Sequence, residues 1–176
     1  MTEFGDQILT PPRKSRASRY RPLTMVAAAV AAILFQVYVP LFSQYLSYLE
    51  LPLLVTVYFA LMRRQPIAGI LIGCSIGLVQ DSLSHQPIGL FGIVKTLIGY
   101  FAASVSMRFD VENPLVRVIL CFFFFVFHQI FYWVLTSALL GQSTVLDLPQ
   151  SLVSGLLNAA VALPLFHVLD KMKGAA

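Results

Sequence analysis

The amino-acid sequence predicts an all-α integral membrane protein, folded as a compact bundle of six transmembrane helices. Hydrophobic residues make up 58% of the 176 residues and charged residues only 11%, against about 45–50% and about 25% in soluble domains. A chain of this composition lacks the polar side chains that would cover a soluble fold. Its apolar residues fall into six runs separated by short polar segments, which predicts one membrane-crossing helix for each run.

The elements follow these runs in chain order. Residues 1–22 are polar and contain five basic residues, a composition typical of a disordered cytoplasmic tail, and residues 171–176 form a C-terminal cytoplasmic tail. The second run has only twelve residues, too few to cross a bilayer alone, so an earlier start is left open. The predicted spans of the single domain, residues 23–170, are residues 23–39, 51–62, 67–83, 90–107, 115–140 and 149–169.

Prolines and tyrosines mark several of the boundaries between these elements. Pro66, Pro114 and Pro149 each stand at or next to the start of an apolar run, where the N–H that proline lacks would have no partner in the helix anyway. Tyr45 and Tyr48 lie in the connection before the second run. Tyrosine is typical of the membrane–water interface, so this connection is expected to lie at the surface of the membrane.

The basic residues predict the orientation in the membrane. Alternate connections collect eleven of the twelve Lys and Arg residues, and the connections on the opposite side, residues 40–50, 84–89 and 141–148, collect none. Because cytoplasmic segments carry the excess of Lys and Arg, both termini are predicted to be cytoplasmic. The twelfth basic residue is Lys95, inside the fourth span. The net charge of +4 is not gathered into one patch, which excludes a nucleic-acid partner.

The third predicted helix carries three glycines four residues apart, Gly69, Gly73 and Gly77. This spacing places them on one helix face, here termed the glycine ridge, where a neighbouring helix can approach closely. Whether that neighbour belongs to this chain or to a partner is left open. Asp81 and Lys95 lie near the outer ends of the third and fourth helices. Either they form a salt bridge that fixes the hairpin, or Lys95 extends to the membrane surface while Asp81 stays hydrated.

Three further polar residues fall within the predicted spans: His128, Gln129 and Asn158. They are expected either to hydrogen-bond across helices and hold the bundle together, or to line a ligand site inside it. Ser75 lies in a G-x-S-x-G sequence, but that motif serves hydrolysis at a strand-to-helix turn, and here it falls in mid-helix. The two cysteines lack the spacing of metal ligands. No catalytic residue, cofactor or metal site is therefore predicted.

The segment from Leu51 to Arg108 resembles the MreD family of rod shape-determining membrane proteins. The matching features are PLLVTVYFAL followed by basic residues, then GILIGCSIGLVQDSL, a short loop with PIGLFG, and a helix containing GYFAA. The family pattern of a helix that ends in glycine, two hydrophobic residues, any residue and aspartate corresponds to residues 77–81. Two features depart from the family: the tail before the first span is long, and Leu51 separates Glu50 from Pro52, where a polar residue often adjoins the proline.

The resemblance implies a non-enzymatic subunit of the bacterial elongation (rod) complex in the cytoplasmic (inner) membrane, which binds and organises partner proteins for cell-wall synthesis and cell shape. The implied partners are an MreC-like bitopic protein, an MreB-like actin homologue, a RodA-like glycosyltransferase and its transpeptidase, together with membrane lipid. The family is also similar in architecture to the substrate-binding subunits of energy-coupling-factor transporters. The alternative is therefore a small-molecule (vitamin-like) binding subunit of a transporter, whose candidate residues on the outer side are Asp81, His85, Gln86, Lys95 and Gln142.

Overall fold

A computed structural model of the protein describes residues 22–38, 46, 48–84, 87–141 and 147–172. The helices formed by these residues are α1 (Pro22–Tyr38), α2 (Leu51–Arg63), α3 (Pro66–Leu83), α4 (Leu90–Ser106), α5 (Pro114–Leu140) and α6 (Leu148–Lys171). The prediction of an all-α protein with six helices is confirmed. Most of the predicted N-terminal tail lies outside the described residues, as do His85, Gln86 and Gln142.

Three of the helices are long and apolar enough to cross a membrane, namely α3, α5 and α6. The other three are shorter apolar helices, of 17 residues in α1, 13 in α2 and 17 in α4. Large hydrophobic side chains on the outward faces are exposed, among them Leu71 on α3, Ile119 on α5 and Val153 on α6. Such a surface is unfavourable in water and suits contact with lipid.

Helix α2 lies at the centre of the bundle. Its residues from Pro52 to Met62 are all buried, and it packs against each of the other five helices. A helix that is apolar all round is expected to be buried in this way. At 1.5 Å per residue it extends only about 20 Å, less than the ~30 Å of a hydrocarbon layer. It begins at Leu51, and Leu49 and Glu50, which precede it, are not helical.

Polar contacts show which helix ends lie together. Arg63 Nη2 lies 3.2 Å from Met25 Sδ, which joins the end of α2 to the start of α1. Arg117 forms an ion pair with Asp170 at 2.6 Å, which joins the start of α5 to the end of α6, and Tyr58 donates its hydroxyl hydrogen to Asp170 at 2.6 Å. The chain therefore runs alternately up and down. Arg63 and Arg117, two of the basic residues predicted to lie on the cytoplasmic side, take part in these contacts.

Candidate functional site

The glycine ridge of α3 packs against α4 of the same chain. A Cβ added to any of the three glycines would overlap a backbone carbonyl oxygen of α4. Gly69 faces the carbonyl oxygen of Gly99, Gly73 faces the one of Lys95, and Gly77 faces the one of Phe91. The missing side chains therefore allow the two backbones to approach more closely than any other residue would permit. Of the two neighbours left open by the sequence, the ridge contacts the internal one.

Asp81 closes the turn between α3 and α4. Its buried carboxylate accepts hydrogen bonds from the backbone N–H groups of Gly89 at 2.9 Å, Phe91 at 3.0 Å and Gly92 at 3.0 Å. The first N–H groups of a helix have no partner within it, and a carboxylate at this position both satisfies them and interacts favourably with the helix dipole. Gly89 has a φ of 107°, which glycine adopts without strain. Asp81 is thus a cap for α4 and is not hydrated.

Lys95 is paired with Glu50 and not with Asp81. Its Nζ lies 3.8 Å from Glu50 Oε2 and 4.4 Å from the centroid of the Phe91 ring, and its side chain has no exposed surface. This arrangement corrects both alternatives predicted from the sequence, the salt bridge to Asp81 and the lysine that extends to the surface. The physical reason is that Asp81 is engaged by the backbone of α4, while the short helix α2 brings Glu50 into the interior.

Two further buried side chains join this ion pair, Gln80 of α3 and His128 of α5. Gln80 lies beside the Glu50 carboxylate. His128 and Lys95 both contact the Phe91 ring, with 5.9 Å between the His128 and Phe91 centroids and 4.4 Å from Lys95 Nζ to the Phe91 centroid. The four residues Glu50, Gln80, Lys95 and His128 are here termed the buried polar cluster. They come from α3, α4, α5 and the residue that precedes α2, so the cluster connects four segments of the chain at one place.

The imidazole of His128 is held between aromatic rings. It stacks on Phe91 with 5.9 Å between ring centroids and on Tyr132 with 6.3 Å, and Phe91 and Tyr132 stack on each other at 5.1 Å. Gln129, the next residue on α5, is only half-buried. Of the predicted residues, the structure therefore brings Lys95 and His128 together, leaves Gln129 at the margin, and engages Asp81 separately as the cap of α4.

Five polar atoms of the buried polar cluster have no hydrogen-bond partner among the described residues: Glu50 Oε2, Gln80 Oε1, Lys95 Nζ and both ring nitrogens of His128. The Gln129 side chain approaches the imidazole without reaching hydrogen-bond geometry at either nitrogen. Buried polar atoms are nearly always paired, since each unpaired one costs about 1–3 kcal/mol. The buried polar cluster is therefore a candidate binding site.

Asn158 of α6 holds the chain that leads into α2. Its side-chain oxygen accepts from the backbone N–H of Glu50 at 2.8 Å, and its nitrogen donates to the carbonyl oxygens of Tyr48 and Ser154, both at 2.8 Å. Non-helical backbone at membrane depth is stable only where protein groups satisfy it, and Asn158 does so here. Asn158 lies about 15 Å along the axis from the start of α6. Tyr48 and Glu50 therefore lie beside the middle of α6 and not at the surface position predicted for their connection, while Tyr45 lies outside the described residues.

Sequence reasoning did not select Glu50 and Gln80 as site residues. One usable signal was present: a lysine inside a span requires an anion, and Glu50 is one of the few carboxylates on that side of the predicted membrane. Asp81 is nearer to Lys95 in sequence, so sequence distance alone favours Asp81 as the partner. The depth of Glu50 was not predictable, because it depends on the packing of α2.

The structure also shows the surroundings of Ser75, the serine of the G-x-S-x-G sequence. Ser75 lies within α3 and is exposed, and its hydroxyl donates to the carbonyl oxygen of Leu71 at 2.7 Å, as expected for a serine in mid-helix. Across the described parts of the chain, no group of three His, Cys, Asp or Glu side chains is placed to bind a metal ion.

Comparison with known protein families gives a match over nearly the whole chain. The family model described as MreD, rod shape-determining protein MreD, matches residues 17–172. This range includes all six helices and every residue of the buried polar cluster. No curated protein and no solved structure matches the sequence.

Proposed function

The chain belongs to the MreD family of rod shape-determining proteins, and from this premise we propose that it is a non-enzymatic membrane subunit of the bacterial elongation complex. In this role it binds and organises the proteins that build the cell wall along the length of a rod-shaped cell. The single observation that carries the proposal is the family match across residues 17–172. The proposed location is the cytoplasmic (inner) membrane, with six spans and both termini in the cytoplasm.

The form of the molecule supports a binding role. Nearly all of the described residues belong to helices, and the connections between them are short. The surface offered to other proteins thus consists mainly of apolar helix faces, such as those around Leu71, Ile119 and Val153. A protein with such a surface associates most readily with the membrane helices of other proteins, through close packing in the bilayer.

We propose the same partners that the sequence resemblance implies. An MreC-like bitopic protein is the direct partner, because its single membrane helix can pack on an apolar helix face of this bundle. An MreB-like actin homologue, a RodA-like glycosyltransferase and its transpeptidase complete the complex. In the proposed orientation, the basic residues of this chain share the cytoplasmic side with the filament-forming partner.

Depletion of the protein in its own cells tests the proposed function. Depleted cells should round up, and the intact chain should restore rods. Affinity purification from mild detergent should retain the MreC-like protein. Cells that remain rod-shaped on depletion, together with a purified protein that lacks any elongation partner, would overturn the proposal.

A second candidate function is supported by the buried polar cluster. A small-molecule (vitamin-like) binding subunit, similar to those of energy-coupling-factor transporters, needs several polar groups that converge at one depth, and Glu50, Gln80, Lys95 and His128 do converge. Mass spectrometry of the purified protein distinguishes the two. A co-purifying vitamin-like molecule and an ATPase module would favour the transporter over the scaffold.

A further inference from the structure

We infer that the buried polar cluster binds a small group of ordered water molecules inside the membrane-embedded bundle, in contact with Lys95, Glu50, Gln80 and His128. The inference does not depend on the role of the protein in cell shape. It rests on the five buried polar atoms of the cluster that have no hydrogen-bond partner, of which Lys95 Nζ and Glu50 Oε2 are joined only by an ion pair at 3.8 Å.

The unpaired atoms include both hydrogen-bond donors and acceptors. The Lys95 ammonium offers three donors, Glu50 Oε2 and Gln80 Oε1 are acceptors, and one nitrogen of a neutral imidazole donates while the other accepts. A bound anion would be attracted by Lys95 and repelled by Glu50. A bound cation would be attracted by Glu50 and repelled by Lys95. Water both donates and accepts, so it is the ligand whose chemistry suits the whole set.

The number of unpaired atoms also suits water. A buried water typically makes about three hydrogen bonds to otherwise unsatisfied groups, so about two waters would serve the five atoms. The 3.8 Å between Lys95 Nζ and Glu50 Oε2 is longer than a direct hydrogen bond, so the ion pair leaves the hydrogen-bonding capacity of both atoms unused. A dry cluster would instead leave Gln80 Oε1 and both ring nitrogens of His128 without a partner, and Lys95 Nζ and Glu50 Oε2 with only the long ion pair, which is unfavourable for buried polar atoms.

Solid-state NMR of the full chain in lipid vesicles tests the inference directly. Replacement of Lys14, Lys171 and Lys173 by arginine leaves Lys95 as the sole lysine, so its Nζ signal is assigned without ambiguity. Magnetisation that starts on water should reach Lys95 Nζ as quickly as it reaches the exposed turn around Asp110. Transfer as slow as that to the backbone amides at the centre of α2 would overturn the inference.

A substitution that preserves the shape of the His128 side chain gives a second test. The direction of the change in melting temperature distinguishes a cluster that contains water from one that does not. His128→Phe keeps a ring stacked on Phe91 and removes two polar nitrogens. If water binds there, the water loses partners and the melting temperature of the purified protein should fall by several degrees. An unchanged or raised melting temperature would overturn the inference, because removal of unpaired nitrogens from a dry site is not destabilising.

The matched control is His167→Phe, which makes the same chemical change at an exposed position on α6. Its melting temperature should stay within about a degree of the unmodified protein. If the His128→Phe chain fails to fold, the magnetisation transfer to Lys95 in the unmodified His128 background still decides the question.

Discussion

Glu50 reaches Lys95 across the interior of the bundle, with 3.8 Å between the carboxylate Oε2 and the ammonium Nζ. The lysine side chain is fully buried, and the glutamate side chain is 16% exposed. Taking charges out of water is unfavourable unless each has a partner. Each of these two residues therefore depends on the other, and this dependence is measurable.

Lys95→Met should lower the free energy of unfolding by about 3–5 kcal/mol, because it leaves the Glu50 carboxylate buried without its counter-charge. The double variant Glu50→Gln with Lys95→Met should recover most of that loss, since neither residue is then charged. Denaturant titration in detergent micelles measures both. Lys171→Met, an exposed lysine at the end of α6, is the control and should change little. A double variant no more stable than Lys95→Met alone would show that the two charges do not stabilise each other.

Gly73→Leu should destabilise the isolated protein by about 3 kcal/mol or more, because the added side chain overlaps the backbone of α4 and forces the helices apart. Both the purification yield and the melting temperature should fall. Ser75→Leu adds similar bulk to an exposed position of the same helix and should be tolerated. If Gly73→Leu is stable in isolation but loses its MreC-like partner, the ridge serves a partner contact instead.

Asp81→Asn should lower the stability by about 1–3 kcal/mol, because one amide oxygen cannot replace two carboxylate oxygens that accept three backbone N–H bonds. Hydrogen exchange should become faster at the amides of Phe91 and Gly92 in particular. Asp110→Asn is the control, since Asp110 is exposed and accepts one backbone bond, from Glu112. Unchanged exchange at the start of α4 would mean that the cap is dispensable.

Reporter fusions after Gly141 and after Ala176 should report opposite sides of the membrane. The expectation follows from the alternate distribution of basic residues and from the contact between Arg117 and Asp170, which joins the start of α5 to the end of α6. The reporter at Ala176 should lie in the cytoplasm. Two fusions on the same side would leave α6 without a crossing and contradict the six-span arrangement.

The helices were largely predictable from the sequence, because apolar runs bounded by prolines and basic residues give a strong local signal. Pro66 and Pro114 begin α3 and α5, as their positions suggested. The glycine ridge was also visible as a periodic pattern. The helix that packs against the glycine ridge was not predictable, because the glycine spacing indicates that a neighbouring backbone approaches closely but does not identify that backbone.

The candidate site was predictable only in part. Lys95, His128 and Asn158 were identifiable because polar residues in apolar runs stand out. The contacts that these residues make depend on the depth of each residue in the membrane. For the residues beside α2, that depth depends on how far this short helix falls short of spanning the membrane. A single sequence gives the length of α2 but not its position along the membrane normal, so it predicts a surface position for Glu50, which the structure places beside Lys95.

The shortness of α2 has a consequence for how the protein is made. Thirteen residues are too few to be inserted as a stable span on their own, and the helices that surround α2 are mostly synthesised after it. We therefore expect α2 to remain near the insertion machinery until α4 and α6 have been made. Lys95 of α4 and Asn158 of α6 then contact Glu50, the residue that precedes α2. We expect a chain cut after α3 to lack these contacts to Glu50 and to be degraded, so that stable accumulation of α2 requires helices made well after it.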